Sequence, residues 1–528
     1  MKRVLLVLIL LLGLSLRVIG ADWGFPFLLH PDERFVADMP VEMAKRASLD
    51  PGEYNHPDHV DIYANAVLYH AASYVVYQKP LTDTFASHTL LYYHISRILV
   101  AILGTACILV AYLIGKEYNR NTGLIAALLV ALFPSYVEHS HFVTADIPLT
   151  LFILAVILFT IRYLKQPCHK NLLAASLFSA LSLSVKYPGG LTLLLIMTVA
   201  IYRHHGEWKL VLSRLSETVA AFLLSLFLVS PYLFINYDRV IQAVTANAYP
   251  VHLGADGLGW SGNLVFYATS YLDFSGVLLL PFFFLGGFYI IRKEKHYALP
   301  VFFGLLYWMV LSKIGLHWER WALPMYTCPL LVSAYGINVA YERSLHLARR
   351  YLVPLWCVVF LCIVGKLLVA SAVVTAHFTL KDTRFASYQF TQDMGIKEEN
   401  SLYEGFTPFY PSNLRDGSVR IAHYTLDKNK AVRYIIVSSG VYARYLDEPE
   451  RYEADAAFYD EVFSLPLIRK FAPKEYFAGT SYPFYLNNDL AKGVAFLVDY
   501  ARNRIGLLSG PTIRIYKYDP PGFLDRWR

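Results

Sequence analysis

The sequence predicts a polytopic α-helical membrane protein of about eleven transmembrane helices, followed by a C-terminal extracytoplasmic α/β domain. The 528 residues are 56% hydrophobic with a mean hydropathy of +0.40, which is more apolar surface than one soluble core can hide. The apolar residues fall into runs of about 17 to 25, the helical span of a hydrocarbon layer roughly 30 Å thick. From residue 377 onwards this pattern breaks, and strand-like runs alternate with aromatic helical stretches.

The first apolar run, 3–20, leads into a long polar loop, 21–91, which we expect to be part of the active region. The remaining runs lie at 92–115, 122–138, 146–164, 171–186, 188–202, 217–235, 273–291, 297–314, 321–340 and 351–375. A cleaved signal peptide is the alternative for the first run, although a small-residue cleavage site is missing near Gly20 and Ala21. These elements predict a membrane domain over 1–376 and an outer domain over 377–528.

The short loops predict the orientation, since Lys and Arg beside a membrane helix are retained in the cytoplasm. The basic loops are those with Lys2 and Arg3, with Lys116 and Arg120, and with the cations that follow Arg162. The amino terminus is therefore expected inside, and loop 21–91 and the last domain outside the inner or plasma membrane. The net charge of +7 is spread over many loops, which argues against nucleic-acid binding. The five cysteines all avoid the outer domain, so no disulfide framework is predicted.

Charged and histidine-rich motifs stand where the predicted helices meet the outer surface. They are His30-Pro31-Asp32-Glu33-Arg34, His56-Pro57-Asp58-His59, Glu138 to Pro148, Lys186-Tyr187-Pro188 and His317-Trp318-Glu319-Arg320. Because one membrane-water boundary holds all of them, we expect a single site. Cations at helix ends suit the phosphate of a lipid-linked substrate, and a partly desolvated carboxylate suits a general base.

These motifs resemble the GT-C glycosyltransferases of the dolichyl-phosphate-mannose protein mannosyltransferase type, glycosyltransferase family 39, and their aminoarabinose-transferase relatives. The resemblance covers most of the chain. It rests on Asp32-Glu33 after the first helix, on Asp146 with Pro148 before the fourth, and on Arg320-Trp321 with Leu323-Pro324 before a late helix. It implies inverting transfer of a sugar from a polyprenyl-phosphate donor to a hydroxyl or amine of a lipid, glycan or protein acceptor at the outer membrane face.

The resemblance also implies roles for individual residues. Asp32 would be the catalytic base, Glu33 would orient the base or the acceptor, and Asp146 would be the second acid. The predicted donor-phosphate ligands are Arg320, Lys186 and Arg34, and the further candidates for substrate binding are His56, Tyr63, His317 and Glu319. One departure stands out: many relatives carry Lys or His followed by Pro-Pro, where this chain has His56-Pro57-Asp58.

Several alternatives stay open. Asp146 could serve as a helix N-cap, and Arg320 could be an interfacial cation among belt tryptophans. A transporter, flippase or binding protein for lipid-linked sugars would share the composition, although no internal repeat is found and the acids cluster at one surface. The motifs require no cofactor, and a divalent metal remains open with His56 and His59 as candidate ligands.

Overall fold

A computed structural model describes residues 2–247, 255–346, 352–410, 432–474 and 489–518. The chain forms two compact units. The first, here called the membrane unit, comprises Met1–Ala21, Asp32–Pro250 and Leu258–Ser371. The second, here called the C-terminal unit, comprises Ala372–Arg528 with the short segments Asp22–Pro31 and Val251–Gly257. The sequence placed the boundary at 376/377, and in the structure the units divide after Ser371.

The membrane unit is built from helices, and the last of them continues into the C-terminal unit. Their bounds are Lys2–Val18 (α1), Arg34–Ala37 (α2), Met39–Lys45 (α3), His59–Ala72 (α4), Leu81–Thr84 (α5), Thr89–Lys116 (α6), Arg120–Ala131 (α7), Pro134–His139 (α8), Asp146–Lys165 (α9), His169–Val185 (α10), Leu191–His204 (α11), Trp208–Val229 (α12), Tyr232–Ile235 (α13), Tyr237–Asn247 (α14), Gly259–Ser275 (α15), Leu280–Lys293 (α16), Ala298–Leu311 (α17), Leu323–His346 (α18) and Leu352–His377 (α19).

Within the described residues, four helices are long and apolar enough to cross a membrane: α6, α9, α12 and α19. α15 and the segment from Val277 to Lys293 are bent by 92° against each other and form either a broken fifth span or a re-entrant loop, and α7 and α17 are shorter apolar helices. These helices support the predicted helical membrane protein. The number of eleven spans stays a prediction, because several apolar runs are divided among shorter helices. Run 122–138, for example, is split by Pro134, which begins α8.

Two glycines determine how neighbouring helices of the membrane unit meet. α15 ends at Gly276, whose φ of +80° favours glycine, and Lys366 Nζ donates to the carbonyls of Asp273 and Phe274 at 2.8 and 2.9 Å. α16 and α18 touch backbone to backbone, since a Cβ atom on Gly286 would overlap the carbonyl oxygen of Val332. Such contacts require glycine and define how the helices cross.

A fully buried arginine joins the amino-terminal helix to α7. Arg17 Nη1 donates to the carbonyls of Gly13 and Ala131 at 2.9 and 3.1 Å, and Nη2 donates to that of Val130 at 3.2 Å. The last carbonyls of α7 have no partner within their own helix, so this cation satisfies groups that would otherwise be buried unpaired. The first run is therefore packed as an integral helix of the membrane unit.

The described residues of the C-terminal unit form six short strands and four further helices. The strands are Lys381–Asp382 (β1), Ser401–Tyr403 (β2), Tyr434–Ser438 (β3), Leu467–Phe471 (β4), Leu508–Ser509 (β5) and Ile513–Lys517 (β6), and the helices are Thr383–Asp393 (α20), Ser439–Leu446 (α21), Glu453–Phe463 (α22) and Leu490–Asn503 (α23). One sheet has the order β2-β3-β6-β4, parallel between β2 and β3 and antiparallel elsewhere, and β1 pairs with β5. Side chains of β3, α21 and α22 share one apolar core.

Candidate functional site

Four residues singled out from the sequence form a continuous chain of ion pairs in the membrane unit, here called the ion-pair chain. Arg320 Nη2 lies 2.7 Å from Asp32 Oδ2, and Arg320 Nε lies 3.8 Å from Asp146 Oδ2. Asp146 Oδ1 then accepts a hydrogen bond from Lys186 Nζ at 3.0 Å. The structure thus joins positions 32, 146, 186 and 320, and it alternates acid and cation along the chain.

Burial differs sharply along the ion-pair chain. The side chains of Asp32 and Arg320 are 38% and 22% exposed, whereas those of Asp146 and Lys186 are 2% and 9% exposed. One end is therefore open to solvent and the other is enclosed. A surface pair contributes little and is easily rearranged, while separating a buried pair is costly.

Helix ends position these side chains. Asp146 is the first residue of α9, Lys186 directly follows α10, and Arg320 lies in a 3-10 turn before α18. The turn after Lys186 is close-packed, because a Cβ atom on Gly189 would overlap the backbone of Ser182. Asp32 begins the turn before α2, where its carbonyl accepts from the amide of Phe35. Four helix termini thus deliver the charges to one place.

Tryptophan rings lie beside both cations. Lys186 Nζ is 5.0 Å from the centre of the Trp321 ring, and the Arg320 guanidinium is 5.6 Å from that of Trp318. Cation–π contacts of this kind favour a defined position of the charge at little desolvation cost. The tryptophans beside Arg320 therefore help to orient the cations, whatever their depth in the membrane.

Glu33 lies behind the site, fully buried. Its carboxylate forms a bidentate pair with Arg97 of α6, with Nε–Oε1 2.8 Å and Nη2–Oε2 2.7 Å, and both side chains are inaccessible to solvent. Oε1 also accepts from the amide of Val143 at 3.1 Å, in the segment that leads to Asp146. Glu33 therefore ties the loop of Asp32 to the loop of Asp146.

His56 lies among the charges of the ion-pair chain. The amide of Asp58, two residues later, donates to the carbonyl of Val185 at 3.1 Å, which holds this loop against the residue before Lys186. Desolvation and the charges of Lys186 and Arg320 together lower the pKa of His56 to about 4, against the opposing effect of Asp146. The residue is nonetheless exposed.

The other predicted residues lie outside the ion-pair chain and contact neighbouring groups of the protein. His59 is buried, with its ring nitrogens hydrogen-bonded to Ser230 Oγ and the carbonyl of Glu53, both at 3.0 Å. The hydroxyl of Tyr63 donates to the carbonyl of Leu49. The guanidinium of Arg34 packs over the ring of Phe35, and the ring of His317 packs edge-on against Phe266.

Glu138 and Glu319 are two acidic residues that lie near each other, beside the site. Glu138 is almost fully buried, and the charge of Glu319 acts on its carboxyl group. Within the described chain, no three His, Cys, Asp or Glu side chains are arranged to hold a metal ion. The two ring nitrogens of His59 are already used by the protein, so of the two predicted metal ligands only His56 keeps an exposed ring.

An apolar cavity of about 360 Å³ adjoins the enclosed end of the ion-pair chain. Its walls come from the turn after Lys186, from α11 and from α17, and they include Tyr187, Leu191, Leu194, Tyr307, Leu311 and Ile314. A cavity of this lining favours a hydrocarbon chain, and it begins one residue from a cation.

Sequence reasoning missed Arg97. A signal was present, because an arginine within the apolar run 92–115 is costly in a membrane unless it is paired or functional. Its partner was singled out, but the pairing joins positions 64 residues apart and no local pattern shows it.

Comparison with known protein families gives a match in the middle of the chain. Residues 70–245 match the family described as dolichyl-phosphate-mannose-protein mannosyltransferase, a stretch that includes Asp146 and Lys186 but neither Asp32 nor Arg320. No curated protein sequence is a significant match.

Two solved structures share the fold over most of the chain. The oligosaccharyltransferase AglB of Archaeoglobus fulgidus, in complex with an inhibitory peptide and a dolichol-phosphate, is 11% identical with a TM-score of 0.53, over 89% of this chain and 73% of that one. ArnT of Cupriavidus metallidurans in the apo state is 14% identical with a TM-score of 0.52, over 88% and 95%.

The fold is therefore shared with the oligosaccharyltransferase AglB and with ArnT. More particularly, the resemblance to the dolichyl-phosphate-mannose protein mannosyltransferase family that the motifs predicted is confirmed by the family match over 70–245.

Proposed function

We propose that this protein transfers a sugar from a polyprenyl-phosphate donor to a hydroxyl or amine of an acceptor, with inversion and with Asp32 as the base. The observation that carries the proposal is the ion-pair chain, which ends at an exposed carboxylate on one side and adjoins an apolar cavity on the other. The dolichol-phosphate bound to the structurally similar AglB supports this kind of donor.

The charges suit a phosphate that enters from the membrane. Two carboxylates and two cations balance in the ion-pair chain, so an added phosphate must compete with a carboxylate for a cation. The exposed Arg320–Asp32 pair is the easier one to open, since it is less buried than Asp146–Lys186. Arg320 then binds the phosphate, Lys186 adds its charge, and the lipid tail occupies the apolar cavity. Arg34 is kept as an outer phosphate ligand.

Opening this pair frees the base for the reaction. In the proposed step, Asp32 accepts the proton of the acceptor hydroxyl or amine while the acceptor atom forms a bond to the anomeric carbon. The bond from that carbon to the phosphate oxygen breaks, and its electron pair leaves with the polyprenyl phosphate. Single displacement inverts the configuration. The phosphate anion needs no second acid to leave, in contrast to an ordinary glycoside.

The remaining residues support this step. Asp146 holds Lys186 and Arg320, and Glu33 positions the loop of Asp32 through its pair with Arg97. His56, Glu319, His317 and Tyr63 are proposed to line the substrate region. No cofactor is assigned to the reaction. If dialysis against a chelator abolishes transfer and one divalent metal restores it, the reaction requires that metal.

The proposal also places the site at the outer membrane face, with eleven spans and an extracytoplasmic last domain. Single cysteines introduced into a cysteine-free variant at the exposed positions 83, 166 and 450 test this by reaction with an impermeant maleimide in intact cells. We expect labelling at 83 and 450 and protection at 166, and the reverse pattern would invert the topology.

The decisive experiment uses purified protein in lipid nanodiscs with radiolabelled polyprenyl-phosphate sugars and a panel of acceptors. Wild type should transfer sugar, and Asp32→Asn should lose about 10²- to 10⁴-fold in rate, the usual contribution of a general base. Asp83→Asn, an exposed aspartate of the same loop, is the matched control. Full turnover by Asp32→Asn removes the base from the mechanism, and donor binding without transfer by any protein favours a binding protein or carrier.

A further inference from the structure

Two buried carboxyl groups beside the ion-pair chain have no role in the proposed step. Asp58 directly precedes α4, and Asp61 lies in its first turn. Both residues are buried, with 4% of Asp58 and 7% of Asp61 exposed. The amide of Asp58 donates to the carbonyl of Val185 at 3.1 Å, so this pair begins next to the residue before Lys186.

One oxygen of each carboxyl group lacks a hydrogen-bond partner within the described residues. Asp58 Oδ1 and Asp61 Oδ2 are buried and accept no hydrogen bond from the described part of the chain. Buried polar oxygens are almost always satisfied, and leaving them unpaired costs free energy. Lys186, the cation whose charge acts on Asp58, is already bound by Asp146. The complement of this pair is therefore expected from outside the chain.

The protonation of the pair narrows the chemistry of that complement. Burial raises the pKa of Asp61 to about 8, and burial together with the charge of Asp61 raises the pKa of Asp58. In its protonated form such a carboxyl group offers an O–H donor as well as an oxygen acceptor. A metal ion or an ammonium group requires ionised ligands, whereas an alcohol both donates and accepts.

We infer that Asp58 and Asp61 form a subsite for the hydroxyl groups of the sugar carried by the donor. The inference rests on the proposed function, because it takes Arg320 and Lys186 as the phosphate ligands. The sugar is separated from that phosphate by one bridging oxygen, so it must lie beside the phosphate ligands, where Asp58 is anchored through Val185. Asp58 and Asp61 then select the sugar, while the apolar cavity and the cations bind the carrier.

The test separates sugar binding from carrier binding. Binding of bare polyprenyl phosphate and of its sugar-linked form is measured in nanodiscs for wild type, Asp58→Ala, Asp61→Ala and the control Asp83→Asn. We expect wild type and the control to bind the sugar-linked donor at least about tenfold more tightly than the bare carrier. Each alanine variant should lose most of this difference and bind the bare carrier as wild type does.

A second measurement requires no variant and therefore does not depend on whether the alanine proteins fold. Wild type is titrated with donors that each lack one sugar hydroxyl, and at least one of them should bind about tenfold more weakly than the complete donor. Equal binding of all donors by wild type overturns the subsite while leaving the proposed function standing. Equal losses for both lipids in the alanine variants also overturn it, since they indicate a role in the phosphate site. Wild type that binds neither lipid overturns the proposed function and the subsite together.

Discussion

Replacing Glu33 with glutamine should destabilise the membrane unit far more than the loss of a surface charge would. The substitution leaves the guanidinium of Arg97 fully buried and without its carboxylate, and arginine does not lose its charge at accessible pH. Two short hydrogen bonds and the bond from the amide of Val143 are weakened at once. Breaking one partner of a buried ion pair costs about 3–5 kcal/mol. That cost is a large share of the roughly 5–15 kcal/mol by which proteins are usually stable.

The assay is a thermal or denaturant unfolding curve of purified protein in detergent, read by tryptophan fluorescence. Glu33→Gln, Arg97→Met and the double variant form a cycle, in which the double variant should be less destabilised than the sum of the two single ones. Glu42→Gln is the matched control, because Glu42 pairs with Lys45 at the surface with both side chains about half exposed.

The result that would refute this reasoning is specific. In that result, the unfolding midpoint of Glu33→Gln equals that of Glu42→Gln, while the KM of Glu33→Gln for the acceptor rises. Glu33 would then act on the acceptor directly, and the buried pair would not be its main role. Parallel loss of stability and of transfer in Glu33→Gln and in Arg97→Met would instead assign both residues to positioning.

Two further outcomes follow from packing and burial. Gly286→Ala should lower the melting temperature, since its methyl group would overlap the carbonyl of Val332 at a cost of about 1–3 kcal/mol, whereas Gly287→Ala, with open space around it, should not; equal melting of the two variants would contradict the close helix crossing. Burial lowers the pKa of His59 to about 4, so the unfolded chain binds more protons below about pH 6.5 and stability is lost as the pH falls towards 4. The fall in melting temperature between pH 7 and 4.5 should therefore be smaller in His59→Gln, and an unchanged slope in this variant would mean that His59 is not the group responsible.

The sequence predicted the helical membrane architecture better than the individual helices. Hydropathy found the runs that become α6, α9 and α19, because each is one continuous helix. It read 273–291 as one helix, although the backbone turns sharply at Gly276 between α15 and α16. It also placed one run at 217–235, whereas α12 begins at Trp208, since its first turns are polar and still helical. Apolar content shows where a chain enters lipid but not where its backbone bends.

The four residues of the ion-pair chain were singled out from the sequence, but their geometry was not predicted. Charged residues at helix ends identified Asp32, Asp146, Lys186 and Arg320, because such groups are costly at a membrane boundary without a function. Their order in the ion-pair chain depends on contacts between distant segments, which local patterns do not encode. The burial of Glu33 was not foreseen for the same reason, since a carboxylate in a polar loop is normally solvated.

The unequal burial of the ion-pair chain gives its two halves different duties under the proposed function. Asp146–Lys186 is enclosed, so a rearrangement there would leave a buried charge unpaired, and this half acts as a fixed support. Asp32–Arg320 is open, and an exposed ion pair is worth at most about 1 kcal/mol. A phosphate that forms charge-assisted hydrogen bonds to Arg320 can displace Asp32 at that small cost. While Asp32 is paired with Arg320, its carboxylate is engaged by this cation and is not free to act as the base. Donor binding removes this cation from Asp32, so the base becomes free when there is a sugar to transfer.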